Sequence, residues 1–156
     1  MSETDRPMPS LREHVATNNR RTALIDDACR VLEREVEGKS GLTGLAVKAA
    51  YKFVKSVKPG FIREVVDSLL DEFLDALEPM YQDAIAQGKA PGPYLTADTS
   101  RMADCLLAVT DKRARVAKNA AVKAAYEKLR PMAKRHVEAA APRVAELVAR
   151  HAPTSG

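Results

Sequence analysis

Six residues occur twice in this chain of 156, letter for letter: AVKAAY at Ala46–Tyr51 and again at Ala121–Tyr126. An exact repeat 75 positions apart points to two similar halves, and so constrains the fold more than any other feature. Cys29 and Cys105 stand 76 positions apart in comparable surroundings, Asp27-Ala28-Cys29-Arg30-Val31 against Ala103-Asp104-Cys105-Leu106-Leu107. One slipped residue in a loop reconciles the two spacings. Between the copies, Gly88-Lys89-Ala90-Pro91-Gly92-Pro93 is the strongest breaker in the chain. The reading is a duplicated three-helix unit, about 22–88 and 97–151, within one helical domain over 21–152. An arm over 1–20 precedes it and a disordered tail over 153–156 follows.

The residue types agree with helix. Ala, Leu, Val, Glu, Lys and Arg dominate, and β-branched or aromatic runs are nearly absent. The fold class is therefore all-α: a compact bundle of about six main helices from two duplicated units, plus a short N-terminal helix. Ser10-Leu11-Arg12-Glu13 is a capping box that starts the short helix, which is expected to reach about Thr17. Asn18-Asn19 is expected to break it, and Thr22 to open the first main helix, which Gly38 closes. Leu42–Lys58 forms the second, ended by Pro59-Gly60. The third runs 61–78, with Ile62, Val65, Val66, Leu69, Leu70, Phe73, Leu74 and Leu77 on one face and acids opposite. Pro79 then starts a fresh turn through Gln87. In the second half, Thr110-Asp111 reads as a stop and a new N-cap. Two further helices follow, 112–130 and 132–150, with Pro131 in a first turn and Pro142 as a kink.

Leu42–Lys58 is apolar around most of its circumference, with only a narrow charged stripe of Lys48, Lys52 and Lys55. Such a helix is expected at the centre of a bundle. Its small face, Ala46, Ala49 and Ala50, should meet its copy, Ala121, Ala124 and Ala125, across a pseudo-twofold axis.

Charge is unevenly placed. Residues 39–63 carry six bases and no acid, and residues 64–87 carry seven acids and no base, so these blocks are expected to neutralise each other. Residues 111–135 carry nine bases against Asp111 and Glu127, with no evident internal partner. The candidate anion-contacting set is Lys39, Ser40, Lys48, Lys52, Lys55, Lys112, Arg113, Arg115, Lys118, Lys123 and Arg130. Ser40 belongs to it because it opens a helix whose free N–H groups attract anions; its plainer role is an N-cap. Gly41 and Gly44 beside it permit close packing.

Motifs of catalysis fail on context. Gly38-Lys39-Ser40 resembles the end of a phosphate loop, but Glu33 stands where that loop needs glycine, and no strand precedes. Tyr51-Lys52-Phe53-Val54-Lys55 matches Tyr-x-x-x-Lys without the dinucleotide-binding sheet it requires. His14, His136 and His151 lack metal-ligand spacing, no Ser–His–Asp or Cys–His set stands out, and no motif calls for a cofactor. Cys29 and Cys105 read as packing thiols, with an oxidation-dependent bridge left open. Nothing approaches a transmembrane stretch, and the polar N-terminus lacks a signal-peptide core, so a cytoplasmic protein is expected. Aromatic residues are 4% with no Trp, which argues against base stacking.

Several runs are similar to a family of small, all-helical bacterial proteins known only as a domain of unknown function. They are Leu42-x-Gly44-x-Ala46-x-Lys48-x-x-Tyr51-Lys52-x-Val54-Lys55-x-x-Lys58-Pro59-Gly60-Phe61, Leu69-Leu70-x-x-Phe73, Leu106-Leu107-x-Val109-Thr110-Asp111-x-Arg113-Ala114 and Tyr126-x-x-x-Arg130. The resemblance covers about residues 20–150 and implies a stand-alone helical protein. It supplies no activity and no site.

The function expected from the residues is a non-enzymatic binding or scaffold module. Its basic helix faces would contact nucleic-acid backbone, an anionic membrane or an acidic protein. The alternative is a carrier holding an apolar ligand in a cavity of the bundle. Homodimerisation is left open.

Overall fold

The computed structural model describes residues 10–15 and 18–152. Among these, seven helices and no strand occur: α1 Leu11–His14, α2 Asn18–Glu37, α3 Gly41–Lys55, α4 Phe61–Ala86, α5 Pro91–Thr96, α6 Thr99–Arg115 and α7 Ala120–His151. The all-α bundle expected from composition and periodicity is the architecture found. The arm before Ser10, the tail over 153–156 and the expected end of the short helix at Ala16-Thr17 lie outside the described residues.

The capping box works as its spacing implies: the Ser10 hydroxyl accepts the Glu13 N–H at 3.1 Å. The short helix is more than an arm. Leu11 and Val15 are buried, the Leu11 N–H donates to Glu78 at 2.9 Å, and Arg12 pairs with Asp75 at 2.9 Å. The helical body therefore begins near Ser10 rather than at 21. α2 also starts four residues before Thr22, so Asn18-Asn19 opens a helix rather than merely ending one.

α4 is the axis of the core. Leu70, Leu74, Leu77, Met80, Tyr81 and Ala84 return at three- and four-residue intervals and are all buried. Around them pack Leu11 and Val15, Leu24 and Ile25 of α2, Leu95 of α5, Met102 of α6, and Ala141, Ala145, Leu147 and Val148 of α7. Each Leu, Ile, Val or Met of this set contributes about 1.5–3 kcal/mol when fully withdrawn from water, so together they carry the fold.

Proline placement departs from expectation twice, at Pro79 and Pro131, while Pro142 falls inside a helix as expected. Pro79 does not start a new turn; it lies within α4. Pro131 and Pro142 lie within α7, a single helix of 32 residues where two were expected. Pro79 and Pro131 are exposed, so the carbonyls that lose an N–H partner can be solvated instead. α5 was not anticipated: the breaker Gly88–Pro93 supplies its first turn, where proline costs no hydrogen bond.

The second half is thus not a copy of the first. Pro59-Gly60 separates α3 from α4, whereas the second AVKAAY continues without interruption to His151. Thr110 and Asp111 do not stop a helix; α6 runs through them to Arg115. The N-cap of α7 is Asn119, whose side chain accepts from the N–H groups of Ala121 and Val122. Nor do the alanine faces form a central seam. Ala49, Ala121 and Ala124 are exposed, and the only buried residue of α3 is Gly44. α3 is peripheral, because the longer α4 and α7 already fill the centre.

Candidate functional site

α3 is seated by a close approach at its first turn. A Cβ on Gly44 would fall 2.9 Å from the carbonyl carbon of Lys39, so only glycine fits there. Gly41 plays a different part from packing: its φ of 75° turns the chain into the helix, with nothing near its Cα side. Ser40 is the N-cap residue, with no capping hydrogen bond from its side chain. Lys39 is half-buried and donates to the His136 carbonyl of α7 at 3.3 Å. Burial, reinforced by the Lys39 charge, holds the His136 imidazole below its ordinary pKa. Lys39 is thereby used in docking α3 on α7.

The acids of α4 are taken, but not by the lysines of α3. Arg21 of α2 bridges Asp67 and Asp71, each at 2.8 Å. Arg12 holds Asp75, Arg113 of α6 holds Glu72 at 3.1 Å, and Arg101 holds Asp83 at 3.2 Å. From the basic block 39–63, only Lys58 reaches this acidic block, through Glu64 at 2.9 Å. Arg63 pairs with Asp26 of α2 instead. The expected mutual neutralisation of the two blocks is therefore corrected: arginines from α1, α2 and α6 do that work. The reason is topology, since α3 packs beside α2 and α7 while the acidic face of α4 turns toward α1, α2 and α6.

Three candidates are consumed by the fold. Lys39 is one. Arg113 is the second; besides Glu72 it donates to the Ser68 carbonyl at 3.0 Å. Arg130 is the third, in a bidentate clasp on Asp111 at 2.7 and 3.0 Å. Tyr126 donates its hydroxyl to the same carboxylate, and Thr110 Oγ1 lies 2.7 Å from Tyr126 Oη. Arg130, then Tyr126, hold the Asp111 carboxyl below its ordinary value. This cluster joins α6 to α7. The four-residue spacing of Tyr126 and Arg130 was the signal for it, since it puts both on one helix face.

The remaining bases stay outward. Among the described residues, Lys48, Lys52, Lys55, Lys112, Arg115, Lys118 and Lys123 make no ion pair within 4.0 Å. Lys48, Lys52 and Lys55 line a groove of about 360 Å³ with Tyr51 and, from α2, Glu33, Val36 and Glu37. Burial, with the Glu33 charge, pushes the Tyr51 hydroxyl above its ordinary pKa, so it stays protonated and polar, not basic. A second groove of about 480 Å³ is lined by Arg21, Thr22, Ile25, Gly60, Arg63, Glu64 and Asp67. Lys112, Arg113 and Arg115 occupy the last turn of α6, where cations favour the helix dipole, and Lys118 follows in the link to α7.

The apolar residues beside those lysines are exposed, against expectation. Leu42 is 87% exposed, Leu45 61% and Phe53 42%, although all three fell in the arc expected to be buried. With Ala49 they occupy a sector of roughly 80° on α3, and the three lysines fill the adjoining ~60°. Val116, 71% exposed, stands between Arg115 and Lys118. No described helix is long and apolar enough to cross a membrane, and no group of three metal-ligating side chains occurs among the described residues.

No curated protein and no solved structure matches the chain. One family model does, over residues 11–152, which is nearly the whole span of the helices above. The chain therefore belongs to the Family of unknown function (DUF6918).

Proposed function

We propose that the protein is a non-enzymatic helical binding module that docks on an anionic surface. Its contact face comprises Lys48, Lys52 and Lys55 of α3, with Lys112, Arg115 and Lys118 at the α6–α7 turn. One observation carries this reading. Every acid of α4 already has a partner from outside that helix, Glu64 from Lys58 in the link before it and the others from α1, α2 or α6, while the lysines of α3 have none within ion-pair distance, and α3 holds no acid of its own. Unpaired like charges repel one another, and an anionic partner relieves that repulsion. Free Cys29 and Cys105 suit a reducing compartment, which supports a cytoplasmic site of action. No observation favours the carrier alternative, since charged side chains line both grooves.

The test is binding to immobilised heparin and to anionic vesicles across a salt series. Retention at low salt that falls steeply with ionic strength is expected. A Lys48→Gln/Lys52→Gln/Lys55→Gln variant should elute earlier. A protein that binds no polyanion at low salt would end the proposal.

A further inference from the structure

This inference rests on the docking surface just proposed and names its partner. The exposed face of α3 combines two chemistries. Leu42, Leu45 and Phe53 form an uncovered apolar stripe, and Lys48, Lys52 and Lys55 border it on one side. A nucleic-acid backbone rewards only the lysines; it offers no apolar layer to receive leucines. A second copy of the chain rewards only the leucines. Pairing α3 with α3 would gather two sets of lysines around one interface, with no acid on α3 itself to offset them; the acids that share their groove, Glu33 and Glu37, belong to α2.

An anionic bilayer rewards both. Its headgroups attract ammonium groups, and the acyl boundary beneath accepts Leu and Phe side chains. Lysine stems are long enough to lie along the apolar stripe while their charges reach the headgroups. A helix of 15 residues is about 22 Å long, suited to lie in the plane of the surface and not to cross it. The same pairing recurs at the α6–α7 turn, where exposed Val116 is set among Lys112, Arg115 and Lys118.

We propose that α3 is a peripheral membrane-docking helix: Leu42, Leu45 and Phe53 enter the interface of an anionic bilayer, and Lys48, Lys52 and Lys55 bind its headgroup phosphates.

The experiment uses the full chain and vesicles of equal parts phosphatidylcholine and phosphatidylglycerol, with phosphatidylcholine alone as control. Co-sedimentation gives the partition coefficient. The chain has no Trp, so Phe53→Trp places a single fluorescent reporter on the face itself. Expected are partitioning to the anionic vesicles, little to the neutral ones, and a blue shift of Trp emission on binding. Leu42→Gln/Leu45→Gln should lower the partition coefficient about tenfold per leucine while leaving heparin retention unchanged. Each of Lys48, Lys52 and Lys55 changed to Gln should lower it about fivefold and weaken heparin retention as well. All of these positions are exposed except the half-buried Lys48, and unchanged circular dichroism confirms the fold of each variant. Undiminished vesicle binding by the leucine variant, or an unshifted Trp emission, overturns membrane insertion and leaves a purely electrostatic surface. A chain that sediments as a dimer, dispersed by Leu42→Gln/Leu45→Gln, overturns it in favour of self-association. Failure to bind heparin and vesicles alike removes the underlying docking surface too.

Discussion

Removing the Asp111 carboxylate should loosen the α6–α7 hairpin by an amount that the geometry sets. Arg130 donates two hydrogen bonds to it and Tyr126 a third. The Arg130 and Asp111 side chains are 41% and 30% exposed, so solvent screens their attraction. An exposed pair contributes about 0.2–1 kcal/mol, and the two-pronged geometry places this one at the upper end. The Tyr126 hydrogen bond to a charged acceptor adds about 1 kcal/mol after the same discount. Asp111→Ala is thus expected to cost about 2 kcal/mol, or roughly 6 °C in Tm for a chain of this size. Urea unfolding followed by circular dichroism measures it. A double-mutant cycle with Arg130→Met should return a coupling of about 1 kcal/mol. The pH dependence follows from the direction of the shift. The folded-state pKa is depressed, so the contribution is present above the unfolded value, near the ordinary 3.8, and is lost as pH falls through the native one. The penalty of Asp111→Ala should therefore be full above about pH 5 and fade in acid. A cost below about 0.5 kcal/mol at neutral pH, or a coupling near zero, would refute the clasp as a stabilising unit.

Two further outcomes test the rest of the fold. Leu77→Ala empties a buried position on the central helix and should cost about 2–5 kcal/mol by urea unfolding; a smaller loss would mean that α4 is not the axis of the core. Burial pushes the Cys29 and Cys105 thiols above their ordinary value, so iodoacetamide should label both far more slowly in the native protein than in urea, and equal rates would contradict their packing.

Much of the local structure was readable from the residues. Ser10 and Glu13 marked the first helix, Gly38 the end of α2, Pro59-Gly60 the break before α4, and the i, i+4 leucines of α4 its buried face. These signals act over a few residues, so the chain carries them wherever it folds. Prolines were less reliable. A lost N–H is fatal only where nothing else satisfies the freed carbonyl, and exposure of that site is a tertiary property.

The repeated hexapeptide shows where sequence stops. Tyr51 lines a charged groove against α2, whereas Tyr126 clasps Asp111 of α6. Identical residues make identical helix faces, but not identical neighbours. Periodicity reports that Leu42, Leu45 and Phe53 share a face; it does not report whether anything covers that face. Charge counting had the same blind spot. It showed a basic block beside an acidic one, yet Asp67 and Asp71 are held by Arg21 from more than 40 residues away. By itself, the sequence determined an all-helical chain with amphipathic faces and a surplus of bases. Tertiary structure decided which helix is central, which bases are spent on the fold, and which lysines and leucines are left together at the surface, because coverage depends on contacts between segments far apart in the chain.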